Sequence, residues 1–164
     1  MEAAEAAEAV AEAEAAASDI ADKNFGRICM KAEELLFEAA KAREFSYAPY
    51  SGFRVGAALL GASGKVYRGC NIENAAYTPT NCAERTAFFK AVSEGERDFI
   101  AIAIVGGKSD DISVPVYPCG VCRQVMAEFC DADSFVIYTK DGDGFRQNLL
   151  RELLPCSFTP KSLE

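Results

Sequence analysis

With 164 residues, half of them apolar, and a mean hydropathy near zero, the chain can build one globular domain with a real core, and it has no apolar run approaching a membrane span. The formal charge of −8 is uneven: residues 1–22 hold seven acidic side chains and no basic one, which leaves 17 basic against 18 acidic residues in the rest. A nearly neutral body lacks the basic patch that attracts a phosphate backbone, so a polynucleotide substrate is disfavoured.

The N-terminus has no basic segment followed by an apolar stretch, so no secretory signal is predicted. Seven cysteines, an odd number, fit reduced thiols better than a disulfide framework, and the cytosol is the expected compartment.

Residues 2–17 are almost entirely Ala and Glu, with good helix propensity but little to bury. Residues 1–22 are therefore expected as a disordered acidic extension to a domain over 23–164. From about residue 23 to 44, Phe25, Ile28, Cys29, Ala32, Leu35, Leu36 and Ala39 recur at helical spacing, and Asp22 or Asn24 can cap an amphipathic first helix. Turn residues over 47–52 deliver the chain into a strand over 53–60. Ser63-Gly64 then turns it into a second strand over 65–72, which predicts a hairpin. Residues 73–81 form a loop, and a helix opens at Cys82, runs to about Glu94 and is closed by Gly95. The apolar run over 99–105, ended by Gly106-Gly107, has the pattern of a central strand buried on both faces. A polar loop leads to Pro118 and a second helix over 119–130. A strand over 134–139, a turn over 141–144 and a short helix over 149–154, stopped by Pro155, complete the order. This succession predicts a layered α/β domain with a mixed sheet.

The chemistry concentrates in Cys82-Ala83-Glu84 and Pro118-Cys119-Gly120-Val121-Cys122. Three thiols suit a zinc ion that keeps its fourth tetrahedral position open for a reactive water, whereas a structural site fills all four. Cys119 and Cys122 fall in the first turn of one helix and Cys82 at the start of another, where backbone N–H groups favour thiolate over thiol. The chain has no histidine, so Glu84, two residues beyond Cys82, is the available proton carrier beside the metal. Three thiolates leave zinc with a net negative charge, which blunts its effect on water. A guanidinium such as Arg85 beside the sulfurs can withdraw that charge.

Cys-x-Glu paired with Pro-Cys-x-x-Cys is the signature of zinc nucleobase deaminases. The match extends to Pro49-Tyr50-Ser51, Val55-Gly56-Ala57-Ala58-Leu59, Gly69-Cys70-Asn71-Ile72-Glu73-Asn74, Arg85-Thr86-Ala87, Arg123-Gln124 and Leu153-Leu154-Pro155. Over roughly residues 25–162 the chain resembles the small, cysteine-only, homotetrameric cytidine deaminases. The resemblance implies a three-layer α/β/α domain with a mixed five-stranded sheet and one zinc ion per subunit, held by Cys82, Cys119 and Cys122. It further implies Glu84 as proton shuttle and Arg85 as a donor to the thiolates. Asn71 and Glu73 would read the ribose, and the Ala83 N–H would bind the pyrimidine O2. Phe53 would pack on the pyrimidine or ribose, and Phe158 would close the base pocket from a neighbouring subunit.

The implied reaction is hydrolytic deamination of cytidine and 2′-deoxycytidine with release of ammonia, in cytoplasmic pyrimidine salvage, by a homotetramer with shared active sites. The partner is a small-molecule nucleoside, with neither nucleic acid nor membrane involved. One alternative is a deaminase of a cytosine-bearing antibiotic, resembling blasticidin S deaminase; Asn71, Glu73 and Phe53 argue against it. Another is a zinc-stabilised binding domain, which needs a fourth ligand, with Cys70 the nearest spare thiol. Cys29, Cys70, Cys130 and Cys156 are otherwise expected to be packing residues. Tyr117 stands where small residues are more usual in the family, which leaves the pocket's shape open.

Overall fold

The computed structural model describes residues 30–108 and 110–163. Its first helix, α1 (Ala32–Arg43), buries Leu35, Leu36, Ala39 and Ala42 along one face. Lys31 precedes it with extended backbone, and the Lys31 N–H donates to the Glu34 carboxylate at 3.3 Å. The helix thus has its own start at Ala32. The predicted start at residue 23, its caps Asp22 and Asn24, the positions of Phe25, Ile28 and Cys29, and the 1–22 extension lie outside the described residues.

Five strands come next: β1 (Arg54–Gly61), β2 (Val66–Cys70), β3 (Phe99–Gly107), β4 (Val136–Asp141) and β5 (Gly144–Leu149). They form one sheet in the order β2-β1-β3-β4-β5. Among the described strands only the β3–β4 pair is parallel, so the sheet is mixed, as expected. Successive side chains alternate between its faces. Ala58, Leu60, Ala103, Val105 and Tyr138 meet α1 on one side. Ala57, Leu59, Ile102, Ile104 and Ile137 meet α2 (Ala83–Ser93) and α3 (Gly120–Phe129) on the other. The result is the three-layer α/β/α arrangement.

Several boundaries differ from the element-by-element reading: β2 ends at Cys70 rather than 72, β4 spans Val136–Asp141 rather than 134–139, and the C-terminal elements change in kind. The stretch over 144–149 is a strand, although the polar run Arg146-Gln147-Asn148 shows no apolar alternation. As the last strand of the sheet it pairs only with β4 and leaves its first half exposed, so it needs little apolar surface. The final helix, α4 (Leu150–Leu153), is correspondingly shorter, because Leu149 still belongs to β5. Cys156, expected to pack, is exposed just beyond it with a φ of 55°, whereas Cys130 is largely buried and Cys70 half-buried.

The topology also fixes where the helices begin. β2 and β3 each run antiparallel to β1, so they run the same way as each other and end at one edge of the sheet. Gly56 pairs with Cys70 there, and Arg54 with Gly107. The helix after each strand starts at that edge. α2 lies so close to β2 that a Cβ on Gly69 would stand 2.4 Å from the Ala83 carbonyl oxygen and 2.5 Å from the Ala87 nitrogen. α2 then ends at Ser93, and Gly95, with a φ of 93°, turns the chain as predicted. Gly69→Ala is expected to push α2 off the sheet, at a cost of ~1–3 kcal/mol of stability. It is also expected to weaken zinc retention, because Cys82 moves with the helix. Denaturant unfolding and zinc content measure the two effects, and an unchanged midpoint would contradict the close approach.

Candidate active site

Cys82 and Cys119 are the residues immediately before α2 and α3. Both have extended backbone, with φ, ψ of −75°, 155° and −69°, 165°, and neither thiol caps its own helix. Each helix thus begins beside its thiol, where the positive end of the helix dipole favours negative charge. Cys122, one turn into α3, is buried behind them. The Cys82 and Cys119 sulfurs are 3.9 Å apart and those of Cys119 and Cys122 3.5 Å, and all three lie within 4.8 Å of one another. A tetrahedral ion with ~2.3 Å zinc–sulfur bonds separates its sulfurs by about 3.8 Å. The three thiols thus fit zinc with little movement. Cys70 is not among them: its thiol donates to the Phe45 carbonyl at 3.3 Å. The fourth-ligand role that a purely structural site needs is left without its nearest candidate.

The surrounding groups set the protonation of this cluster. A hydrogen bond from the Cys122 thiol, with further donors from Arg85, lowers Cys82 to about 5. The same Cys82–Cys122 bond and burial raise Cys122, so without metal these two thiols titrate as a pair, with one thiolate sharing its neighbour's proton. Glu84, in the first turn of α2, is 4% exposed. Burial lifts its carboxyl to about 7, outweighing the bond from its own N–H, and the Cys82 charge adds to the rise. The Arg85 guanidinium lies 3.6 Å from the Cys82 sulfur and 3.2 Å from the Thr80 carbonyl oxygen, while its buried Nε finds no hydrogen-bond partner among the described residues.

A cleft opens beside the thiols and a second adjoins it. One, of about 160 Å³, is walled by Asn71, Asn81, Cys82, Ala83, Glu84, Cys119, Val55, Val116 and Tyr117. The second, about 410 Å³, is lined by Tyr50, Ser51, Glu73 and Tyr77, and Thr80 borders both. The loop over 73–80 is closed by paired 2.9 Å backbone bonds between Ile72 and Asn81, so Asn71 and Cys82 are held side by side. Glu73 accepts from the Tyr50 and Ser51 N–H groups at 2.8 and 3.2 Å. The Asn71 amide bonds the Val55 N–H and the Phe53 carbonyl, each at 2.8 Å.

Of the residues singled out from the sequence, Cys82, Cys119, Cys122, Ala83, Glu84, Arg85 and Asn71 come together, and Glu73 occupies the adjoining cleft. Phe53 and Phe158 line neither cleft. Phe53 packs beside Gly106, and Phe158 is 61% exposed, with its carbonyl oxygen accepting from Gln124 at 2.7 Å. Sequence reasoning passes over Thr80, Asn81 and Val116, although direct adjacency to the ligand motifs is an available signal for the first two. Tyr77, in the left-handed region with a φ of 56° and ring-packed on Tyr50, gives no such signal. On the far side of α3, Arg123 donates to the Pro118 carbonyl at 2.7 Å and the Leu153 carbonyl at 2.6 Å, holding the ligand loop against the C-terminal segment.

The family model for the cytidine and deoxycytidylate deaminase zinc-binding region matches residues 29–139. The chain belongs to this deaminase family. It is 52% identical to a cytidine deaminase of Sporosarcina psychrophila over 134 residues, which cover 82% of this chain and 96% of that one. The identity to a cytidine deaminase of Halalkalibacterium halodurans is 53% over 134 residues, covering 82% and 98%. The crystal structure of a cytidine deaminase from Burkholderia pseudomallei superimposes with a TM-score of 0.72 at 45% identity, covering 79% of this chain and all of that one. Zinc is the metal of the family, and the thiol geometry suits it.

A pH effect arises from Glu84 in the metal-stripped protein. Its folded-state carboxyl, near 7, holds a proton that an ordinary carboxyl with a value of 4.5 has released, so its contribution to stability falls as pH rises through that window. Cys82, with a lowered thiol, acts in the opposite sense, and comparing Glu84→Gln with the parent largely cancels it. The variant is expected to lose this downward slope and to exceed the parent at pH 8 by on the order of 1–3 kcal/mol. Thermal and denaturant unfolding across pH 4–8 check it, and parallel pH profiles would count against the buried proton.

Proposed function

We propose that the chain catalyses the hydrolytic deamination of cytidine and 2′-deoxycytidine to the corresponding uridine nucleosides, with release of ammonia. The observation that carries this reading is a buried carboxyl, Glu84, poised near neutral pH beside three thiols with zinc-site spacing. Held by Cys82, Cys119 and Cys122, zinc supplies Lewis acidity that makes water acidic near neutral pH. Glu84 takes the proton from the attacking water, delivers it to N3 of the cytosine ring and carries a second proton to the leaving amine. The Ala83 N–H, at the first position of α2 where no intrahelical acceptor exists, holds the pyrimidine O2. Arg85 donates toward the Cys82 sulfur and moderates the negative charge of the ligand set.

Charge supports a nucleoside over a nucleotide. Neither cleft is lined by a lysine or arginine among the described residues. Glu73, whose carboxyl the Ser51 hydroxyl and the Tyr50 and Ser51 N–H groups hold below the ordinary value, adds an anion. A 5′-phosphate finds no cation there. The same carboxylate with Asn71 suits a sugar hydroxyl, which supports a nucleoside over a cytosine-bearing antibiotic.

We assign the activity to cytoplasmic pyrimidine salvage and to residues 23–164, with 1–22 as an extension. No helix of the described residues is long and apolar enough to cross a membrane. We further propose a homotetramer in which Phe158, exposed in the single chain, completes a neighbour's base pocket. Light scattering that gives a fully active monomer would remove this arrangement.

Ultraviolet absorbance with purified protein is expected to show turnover of cytidine, with cytosine and CMP inert. Glu84→Gln should keep its zinc and lose at least 10²- to 10⁴-fold in rate, the usual worth of a positioned proton carrier. Full activity in that variant would sink the assignment.

A further inference from the structure

Asn71 is engaged by three groups of the protein itself. Its Oδ1 accepts from the Val55 N–H and its Nδ2 donates to the Phe53 carbonyl, each at 2.8 Å. These two bonds fix the amide's orientation, because exchanging O and N would set donor against donor and acceptor against acceptor. The third contact is the Ser46 hydroxyl, on the same Oδ1. Since Oδ1 can only accept, Ser46 donates, and both lone pairs of that oxygen are taken. One N–H of Nδ2 is left over, on a side chain that lines the metal cleft.

Ser46 reaches this position through the way the chain leaves α1. Its N–H bonds the Arg43 carbonyl at 3.1 Å, the Tyr47 N–H bonds the Asn71 carbonyl at 3.0 Å, and the Glu73 N–H bonds the Tyr47 carbonyl at 2.8 Å. The exit from α1 therefore runs alongside both sugar-facing residues. Glu73 is tethered in a complementary way: Oε2 receives the Tyr50 and Ser51 N–H groups, the Ser51 hydroxyl also bonds the carboxylate, and of the four acceptor sites of a carboxylate at least one stays open.

We infer that Ser46 is a positioning residue for sugar recognition: by saturating the amide oxygen of Asn71, it makes Asn71 a pure donor. Asn71 and Glu73 then offer one N–H and one carboxylate oxygen, a pair that only a group both accepting and donating can satisfy. A free hydroxyl is such a group; a deoxy carbon, an ether or a phosphate ester is not. Without the Ser46 hydroxyl, one lone pair of Oδ1 is open to water, and the site tolerates ligands that lack the hydroxyl. The inference rests on the nucleoside reading above.

The test compares kcat and KM for cytidine and 3′-deoxycytidine in the zinc-loaded parent, Ser46→Ala and Ser46→Thr. The parent prefers cytidine. Ser46→Ala is expected to narrow that preference roughly five- to tenfold, the worth of one ordinary hydrogen bond, through a raised KM for cytidine with kcat little changed. Ser46→Thr, which keeps the hydroxyl, retains the parent's preference. A loss of mere packing would not alter the ratio, so an unchanged preference in Ser46→Ala overturns the proposal. A second readout needs no turnover: the Asn71 side-chain amide resonances, followed by ¹⁵N NMR, are expected to shift in Ser46→Ala as Oδ1 loses its bond from the hydroxyl while the Val55 and Phe53 bonds keep the amide in place. If the parent leaves cytidine intact, the nucleoside reading falls on its own. The amide signals then decide the role of Ser46, and unchanged signals overturn it.

Discussion

Two helices can aim their N-termini at one point only if the strands that feed them end at the same edge of the sheet. β1 meets that condition by lying between β2 and β3 and antiparallel to both, so that Cys70 and Gly107 finish at the same end of the sheet, on either side of β1, and α2 and α3 begin there. The three thiols inherit their separation from this arrangement and from the direct contact of α2 with the Gly69 backbone. Everything nearer the chemistry, from the burial of Glu84 to the placement of Arg85, depends on how far α2 stands from the sheet.

The site then has to accommodate several acids within a few ångströms. Donors come from three sources: the first-turn N–H groups of the two helices, the Arg85 guanidinium and, before metal binds, the thiols themselves. Glu84 is the exception, since burial keeps its carboxyl at an elevated value. A carboxyl that both holds and yields a proton near neutral pH is what the proposed shuttle needs, and the apolar floor of α2 and the sheet provides that setting. At the sugar end the logic reverses. Glu73 is surrounded by N–H donors and is fully anionic, which suits acceptance of a hydroxyl's hydrogen bond.

The thiol and Glu84 motifs are legible in the sequence because each sits within one helical turn, where spacing alone sets geometry. The three layers are legible because apolar periodicity marks α1, β1, β3 and α2 plainly. Other features depend on tertiary context. β5 is a polar edge strand that hydrophobic patterning cannot flag, and α1 is capped by a backward reach from Glu34 to the Lys31 N–H. Strand alternation extended through residue 72 would turn Asn71 and Glu73 to the substrate together. β2 stops at Cys70, so alternation no longer governs the residues beyond it, and the Asn71 amide is instead laced to the start of β1. The family resemblance puts Phe158 in a base pocket that the single chain does not form around it.

Arg123 and Gln124 come directly after Cys122 on the same short helix, and both grip the end of the chain: Arg123 through the Leu153 carbonyl, Gln124 through the Phe158 carbonyl. The C-terminal stretch is thereby a lever on the ligand helix. A protease that trims it, a fusion tag that drags on it or a neighbouring molecule that seats it acts on the thiols through two hydrogen bonds, without entering either cleft.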